Sequence, residues 1–147
     1  NIHDRFLKNK INSALVKFTL VNETLFKPVN KLGINIYIYD GFSSVNSPHR
    51  AIAYGKKYYD DVIKRLPRYE YIFSSTLNVP YEKMPEIYAR CFIGLRLTPK
   101  DGNANTAQEM EAMGIPIVHN QSDYGLKWNN IEDIVNHITN SYNVSNS

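Results

Sequence analysis

The chain lacks most of the features that would assign it at once. It holds one cysteine, Cys91, so neither a disulfide framework nor a cysteine-rich metal site can form within it. One thiol fits a reducing compartment, and the chain reads as cytoplasmic. No apolar run approaches the ~20 residues that span a bilayer, and the start carries no signal-peptide pattern. The four histidines, His3, His49, His119 and His137, are widely spaced, and no H-E-x-x-H occurs. Neither G-x-G-x-x-G nor G-x-x-x-x-G-K-[ST] is present, which removes the usual support for a dinucleotide site or a P-loop. No sign of charge dominates: 17 basic and 14 acidic residues give a net +3. Duplex-binding domains concentrate basic residues on one face, so no nucleic-acid partner is expected, whereas a small anionic ligand suits the balance. Nothing requires a metal or another cofactor. The first residue is Asn1, and the chain reads as an excised piece of a longer protein.

What is present is globular. The 147 residues are 43% apolar and 21% charged, values of a folded domain. A chain of this size hides roughly 68–70% of its unfolded surface. One domain over 1–147 is expected, with 1–31 as a linker or crossover region and 143–147 as a frayed tail.

The pattern along the chain predicts a short helix over 3–12 and a strand over 15–21. A connection with Pro28 and Gly33 follows, then a strand over 34–40 (INIYIYD) and a turn-rich loop to Pro48. A helix is predicted over 50–66, stopped by Pro67, then a strand over 69–75 and a helix within 80–91 with Ile87 and Tyr88 on its inner side. FIGLRL, 92–97, reads as a strand, 105–113 as a helix stopped by Gly114, 115–119 as a short strand and 131–142 as a closing helix. From residue 34 strands alternate with helices, the signature of βαβ units and a parallel sheet. The fold class is therefore α/β, Rossmann-like. Ligands of such sheets sit beyond the carboxyl ends of the strands, so the loops after 40, 75, 97 and 119 carry the candidate site. Cys91 and Trp128 read as core, and His119 as structural.

The loop after 97 is the most informative. Gly102, Asn103, Ala104 and Asn105 are small or turn-forming and let backbone approach a ligand closely. The helix that follows aims free N–H groups and its positive dipole end at the same loop, an anion site. The dipole contributes only ~0.3–1 kcal/mol per charge, up to about 2 when partly buried. Cations such as Arg96 must add to it. Asp101 and Glu109 bracket the loop and the first helical turn, and carboxylates accept hydrogen bonds from sugar and ribose hydroxyls.

Asp101, seven residues, Glu109, then Ala112-Met113 and Gly114-Ile115-Pro116 resemble the signature of retaining GT-B glycosyltransferases (the glycosyl transferases group 1 type). That family carries Glu, seven residues, a second Glu, Ala-Met and Gly-x-Pro. MPEIYARCFIGLRLT, 84–98, is similar to the family's helix–strand run that ends in a small hydroxyl residue, here Thr98. LVNETLFKP, 20–28, resembles the segment that links the two halves of such an enzyme. The resemblance spans most of residues 20–140 and implies the C-terminal, nucleotide-sugar-binding half.

Carried over, Asp101 contacts the donor sugar, with Asp standing where the family has Glu. The backbone of Gly102, Asn103, Ala104, Asn105 and Thr106 meets the pyrophosphate, Glu109 the ribose and Arg96 the diphosphate. The family places phosphate-binding Arg and Lys in and after the loop that holds Ser43. Here Phe42 occupies the expected Arg position, with Arg50 or Lys56 as substitutes. Val79 and Tyr81 fall in the loop that meets the nucleobase. The implied reaction transfers a hexosyl group from a UDP- or GDP-sugar to a hydroxyl of a glycan, lipid or protein acceptor. It retains anomeric configuration and needs the missing N-terminal domain as a partner.

Local alternatives stand beside these roles. Thr106-x-x-Glu109 also spells a capping box, Asp101 in Lys-Asp-Gly a turn, and Arg96 a strand-end arginine with its head in water. An epimerase of the same architecture and a non-catalytic binding or scaffold domain are the rival functions.

Overall fold

The computed structural model describes residues 21–41, 55–98, 105–120 and 125–146. The expected helix over 3–12, nearly all of the strand over 15–21, and Ser43, Arg50, Asp101, Gly102, Asn103 and Ala104 lie outside them. Four strands, β1 (Asn35–Ile38), β2 (Tyr71–Phe73), β3 (Cys91–Leu95) and β4 (Ile117–Val118), form one sheet in the order β2-β1-β3-β4. All three pairings are parallel, with Ile36 opposite Tyr71 and Ile93, and Gly94 opposite Ile117. Among the described residues four α-helices accompany them: α1 (Lys56–Arg65), α2 (Met84–Tyr88), α3 (Asn105–Ala112) and α4 (Ile131–Ser145). The chain is thus an α/β protein with an all-parallel sheet flanked by helices, as the alternating pattern predicts.

Two cores sandwich the sheet. Ile36, Ile38, Ile93 and Leu95 pack with Tyr59 and Val62 of α1 and Ile134 and Ile138 of α4. Tyr37 and Ile117 turn the other way and pack with Tyr88 of α2 and Ala107 and Met110 of α3, where Phe26 is also buried. Alternation along β1 produces this division. Crossovers of one hand that travel in opposite directions along a sheet must lie on opposite faces. The step from β1 to β2 accordingly carries α1 on one face, and the steps to β3 and β4 carry α2 and α3 on the other.

Several boundaries differ from the sequence reading, each for a contact reason. The strand expected over 69–75 ends at Phe73, and Ser74–Thr76 is a 3-10 turn. The Asp40 carboxylate draws this turn inward, accepting from Ser75 N at 2.8 Å and from Ser75 Oγ at 2.6 Å. The helix expected in 80–91 divides into a 3-10 turn, Tyr81–Lys83, and the five-residue α2. β3 begins at Cys91 and holds one extra residue against β1, because Asn35 faces Cys91 while Ile36 faces Ile93. That irregularity lets adjacent Phe92 and Ile93 join the same core. The last helix runs on to Ser145, beyond the expected end at 142 and into the segment read as frayed. Its start is capped by Asn130, whose side chain accepts from Asp133 N at 3.0 Å. Arg65 and Glu132 join α1 to α4 by an ion pair. Trp128 and Cys91 are buried as expected. Among the described residues no helix is long and apolar enough to cross a membrane.

Candidate functional site

Strand order locates the site. The chain moves from β1 to β2 on one side of the sheet, then returns across it to β3 on the other. At such a reversal, ligands of parallel sheets bind beyond the carboxyl ends of the strands, between the loops that follow them. The two walls of that position are here Tyr39 to Gly41 after β1 and Arg96 to Thr98 after β3.

Tyr59 of α1 holds the two walls together. Its hydroxyl donates to Tyr39 O at 2.6 Å and accepts from Leu97 N at 3.0 Å. The phenol is buried, and that burial pushes its ionisation well above the ordinary range. It therefore stays neutral and can serve both contacts. Gly55 lies just before α1 with φ +84°, and a Cβ there would come within 2.8 Å of Leu97 O. Glycine alone fits both the backbone and that approach.

Arg96 continues the ladder beyond β3, donating from its N to Val118 O at 3.0 Å. Its half-buried head does not lie free in water. The guanidinium carbon is 3.9 Å from the centre of the Tyr39 ring, and Nη1 donates to Thr106 Oγ1 at 3.1 Å. This cation–π contact and hydrogen bond fix a positive charge between β1 and the first turn of α3. Thr98 Oγ1, two residues on, is buried with no hydrogen-bond partner among the described residues.

Glu109, one turn into α3, is only 4% exposed. Its Oε1 accepts from Tyr88 Oη at 2.8 Å, and its Oε2 from Tyr81 Oη at 2.9 Å. Burial raises the Glu109 pKa above the usual carboxylate range; the hydrogen bonds from Tyr88 and Tyr81 and the charge of Arg96 pull it back. Burial and the nearby carboxylate push the Tyr81 phenol up to about 12, so it remains a donor at neutral pH.

The capping-box reading of Glu109 is corrected by this geometry. Thr106 lies inside α3, which includes Asn105, so it is not the cap residue. The Glu109 carboxylate is taken by two tyrosines that are distant in sequence. Tyr81 has its hydroxyl on Glu109, and its ring meets Phe26 edge-on at 5.5 Å. It is still 49% exposed, and Val79 is 40% exposed. Arg96 is thus bonded to Thr106, and Tyr81 to Glu109, which stands three residues further along α3. Asn105 is exposed at the start of α3. Lys56, the named substitute, pairs with Asp60 on the surface of α1 at 2.6 Å.

Tyr39 and Tyr59 were not singled out by sequence reasoning. Tyr88 was read, with Ile87, as an inward-facing helix residue, and both are buried; its bond to Glu109 was not foreseen. Among the described residues no three His, Cys, Asp or Glu side chains group as a metal site. Compared with known proteins, the chain matches no family model, no curated protein and no solved structure.

Proposed function

We propose that this chain is the nucleotide-sugar-binding domain of a retaining GT-B glycosyltransferase, completed by an N-terminal domain that supplies the acceptor site. The observation that carries the reading is that Arg96, which follows β3, bonds Thr106 on α3, three residues before the buried Glu109. A diphosphate would take charge-assisted hydrogen bonds from Arg96 and the N–H groups that open α3. Glu109 would accept from the ribose. The hydroxyl of Thr98, without a partner among the described residues, offers a further polar contact beyond β3. In transfer, negative charge develops on the leaving diphosphate, and fixed donors aimed there lower the barrier.

The test is calorimetry of this chain with UDP, GDP and their sugars. Weak binding that falls on Arg96→Met and on Glu109→Gln supports the proposal; no binding of any nucleotide at millimolar concentration rejects it. One observation favours a non-catalytic binding or scaffold domain instead: both Glu109 oxygens already have donors within the chain. Product analysis of the full-length protein with labelled donors separates the two, since only a transferase yields a glycoside.

A further inference from the structure

The two hydroxyls on Glu109 are not equivalent. Tyr88 is 2% exposed, and Tyr81 is 49% exposed. The Tyr88 ring is held edge-on to Tyr37 at 5.1 Å and lies 5.9 Å from Phe26. Tyr81 sits in the short 3-10 turn and meets Phe26 only by an edge contact. One oxygen of the carboxylate therefore faces an immobilised donor, and the other faces a donor at the surface.

We infer that Tyr88 is a positioning residue that aims the Glu109 carboxylate, and that the Tyr81 hydroxyl is an exchangeable stand-in that a ligand's ribose hydroxyl displaces from Oε2. This deepens the nucleotide reading proposed above and rests on it. The physical basis is acceptor capacity. A carboxylate whose one oxygen is fixed by a buried donor presents the other in a set direction, without an ordering cost at binding. A phenol and a sugar hydroxyl are both neutral O–H donors, so the exchange moves no charge into the protein. Among the described residues, the titratable groups that act on Glu109 are Tyr81 from the turn, Tyr88 from α2, Tyr37 from β1 and Arg96 from beyond β3.

The experiment measures the affinity of this chain for UDP and for 2′,3′-dideoxy-UDP by calorimetry, in wild type, Tyr88→Phe and Tyr81→Phe, from pH 5 to 8. The ratio of the two affinities reports the ribose contact alone. In Tyr88→Phe the ratio falls about tenfold, the size of one hydrogen bond to a charged group. The pH below which the ratio collapses also moves upward, because a donor that holds Glu109 ionised is gone. In Tyr81→Phe the ratio rises about fivefold, since the ribose hydroxyl displaces water instead of a phenol.

A ribose preference in wild type that neither variant changes, in size or in pH profile, overturns the inference and leaves the nucleotide reading intact. A fall in Tyr81→Phe as large as in Tyr88→Phe refutes the exchange. If wild type shows no preference for UDP over the dideoxy compound, the ribose role of Glu109 fails, and this inference fails with it.

Discussion

Replacing Tyr59 by Phe removes one oxygen from the interior and asks what it contributed. The ring keeps its place between α1 and the sheet, so almost no apolar burial is lost. What disappears is the acceptor for Leu97 N, 3.0 Å away, and the donor to Tyr39 O, 2.6 Å away. Leu97 is fully buried, so its N–H loses its partner away from bulk solvent. A buried donor left unsatisfied costs about 1–3 kcal/mol. For a domain of this length, each kcal/mol corresponds to about 4 °C of melting temperature, so the expected drop is about 4–12 °C. Urea unfolding followed by circular dichroism measures the same loss, with the m-value unchanged if only stability moves. The bond also joins the two walls, so under the proposed nucleotide-binding function the affinity falls further than the residual folded fraction explains. A variant within about 0.5 kcal/mol of wild type would refute the reasoning, because neutral surface substitutions lie in that range.

The alternation of strands and helices was legible because it is local. INIYI, EYIF, CFIGL and IPIV are short apolar runs bounded by turn residues, and each contains a strand of the sheet. The ends of these elements were less legible because they depend on partners far along the chain. Ser74 and Ser75 leave the strand to meet Asp40, whose position 34 and 35 residues earlier no periodic pattern reports. The extra residue in β3 arises only when Cys91 and Ile93 pair with neighbouring residues of β1. Glu109 shows the same division at the site. Its spacing from Thr106 spelled a local cap, yet its donors come from 21 and 28 residues away. Tertiary hydroxyls outcompeted the local motif, Tyr88 reaching the carboxylate from the core and Tyr81 from the surface. Arg96 was legible as an anomaly, a cation ending an apolar strand. That its head lies on Tyr39 follows from β1 and β3 being neighbours, which is a property of the sheet order.

Two glycines should rank by what a methyl group would strike. A Cβ on Gly33 would lie 2.1 Å from the Arg90 carbonyl, whereas one on Gly94 would meet the far end of Met110, with Sδ at 2.5 Å. Backbone cannot move aside as a thioether can, so Gly33→Ala should cost about 3 kcal/mol and Gly94→Ala about 1 kcal/mol in chemical denaturation; the reverse order would contradict the packing described. The pH dependence of Glu109→Gln is a separate matter, and its sign follows from burial. The Glu109 pKa is raised in the folded chain, with desolvation the leading cause. The folded state therefore holds this proton to a higher pH than the unfolded state does. Stability from that proton is fully present below the unfolded value, near 4.3 for an ordinary Glu, and is lost as pH rises through the raised folded value. Glutamine has the shape of the neutral form, and it can accept from one tyrosine and donate to the other. The variant should thus gain on wild type as pH rises from 4 to 7, when the two are compared by thermal melts in matched buffers. Parallel curves would mean that the Tyr81 and Tyr88 hydroxyls and Arg96 fully offset burial, leaving the carboxylate as easily ionised as one in water.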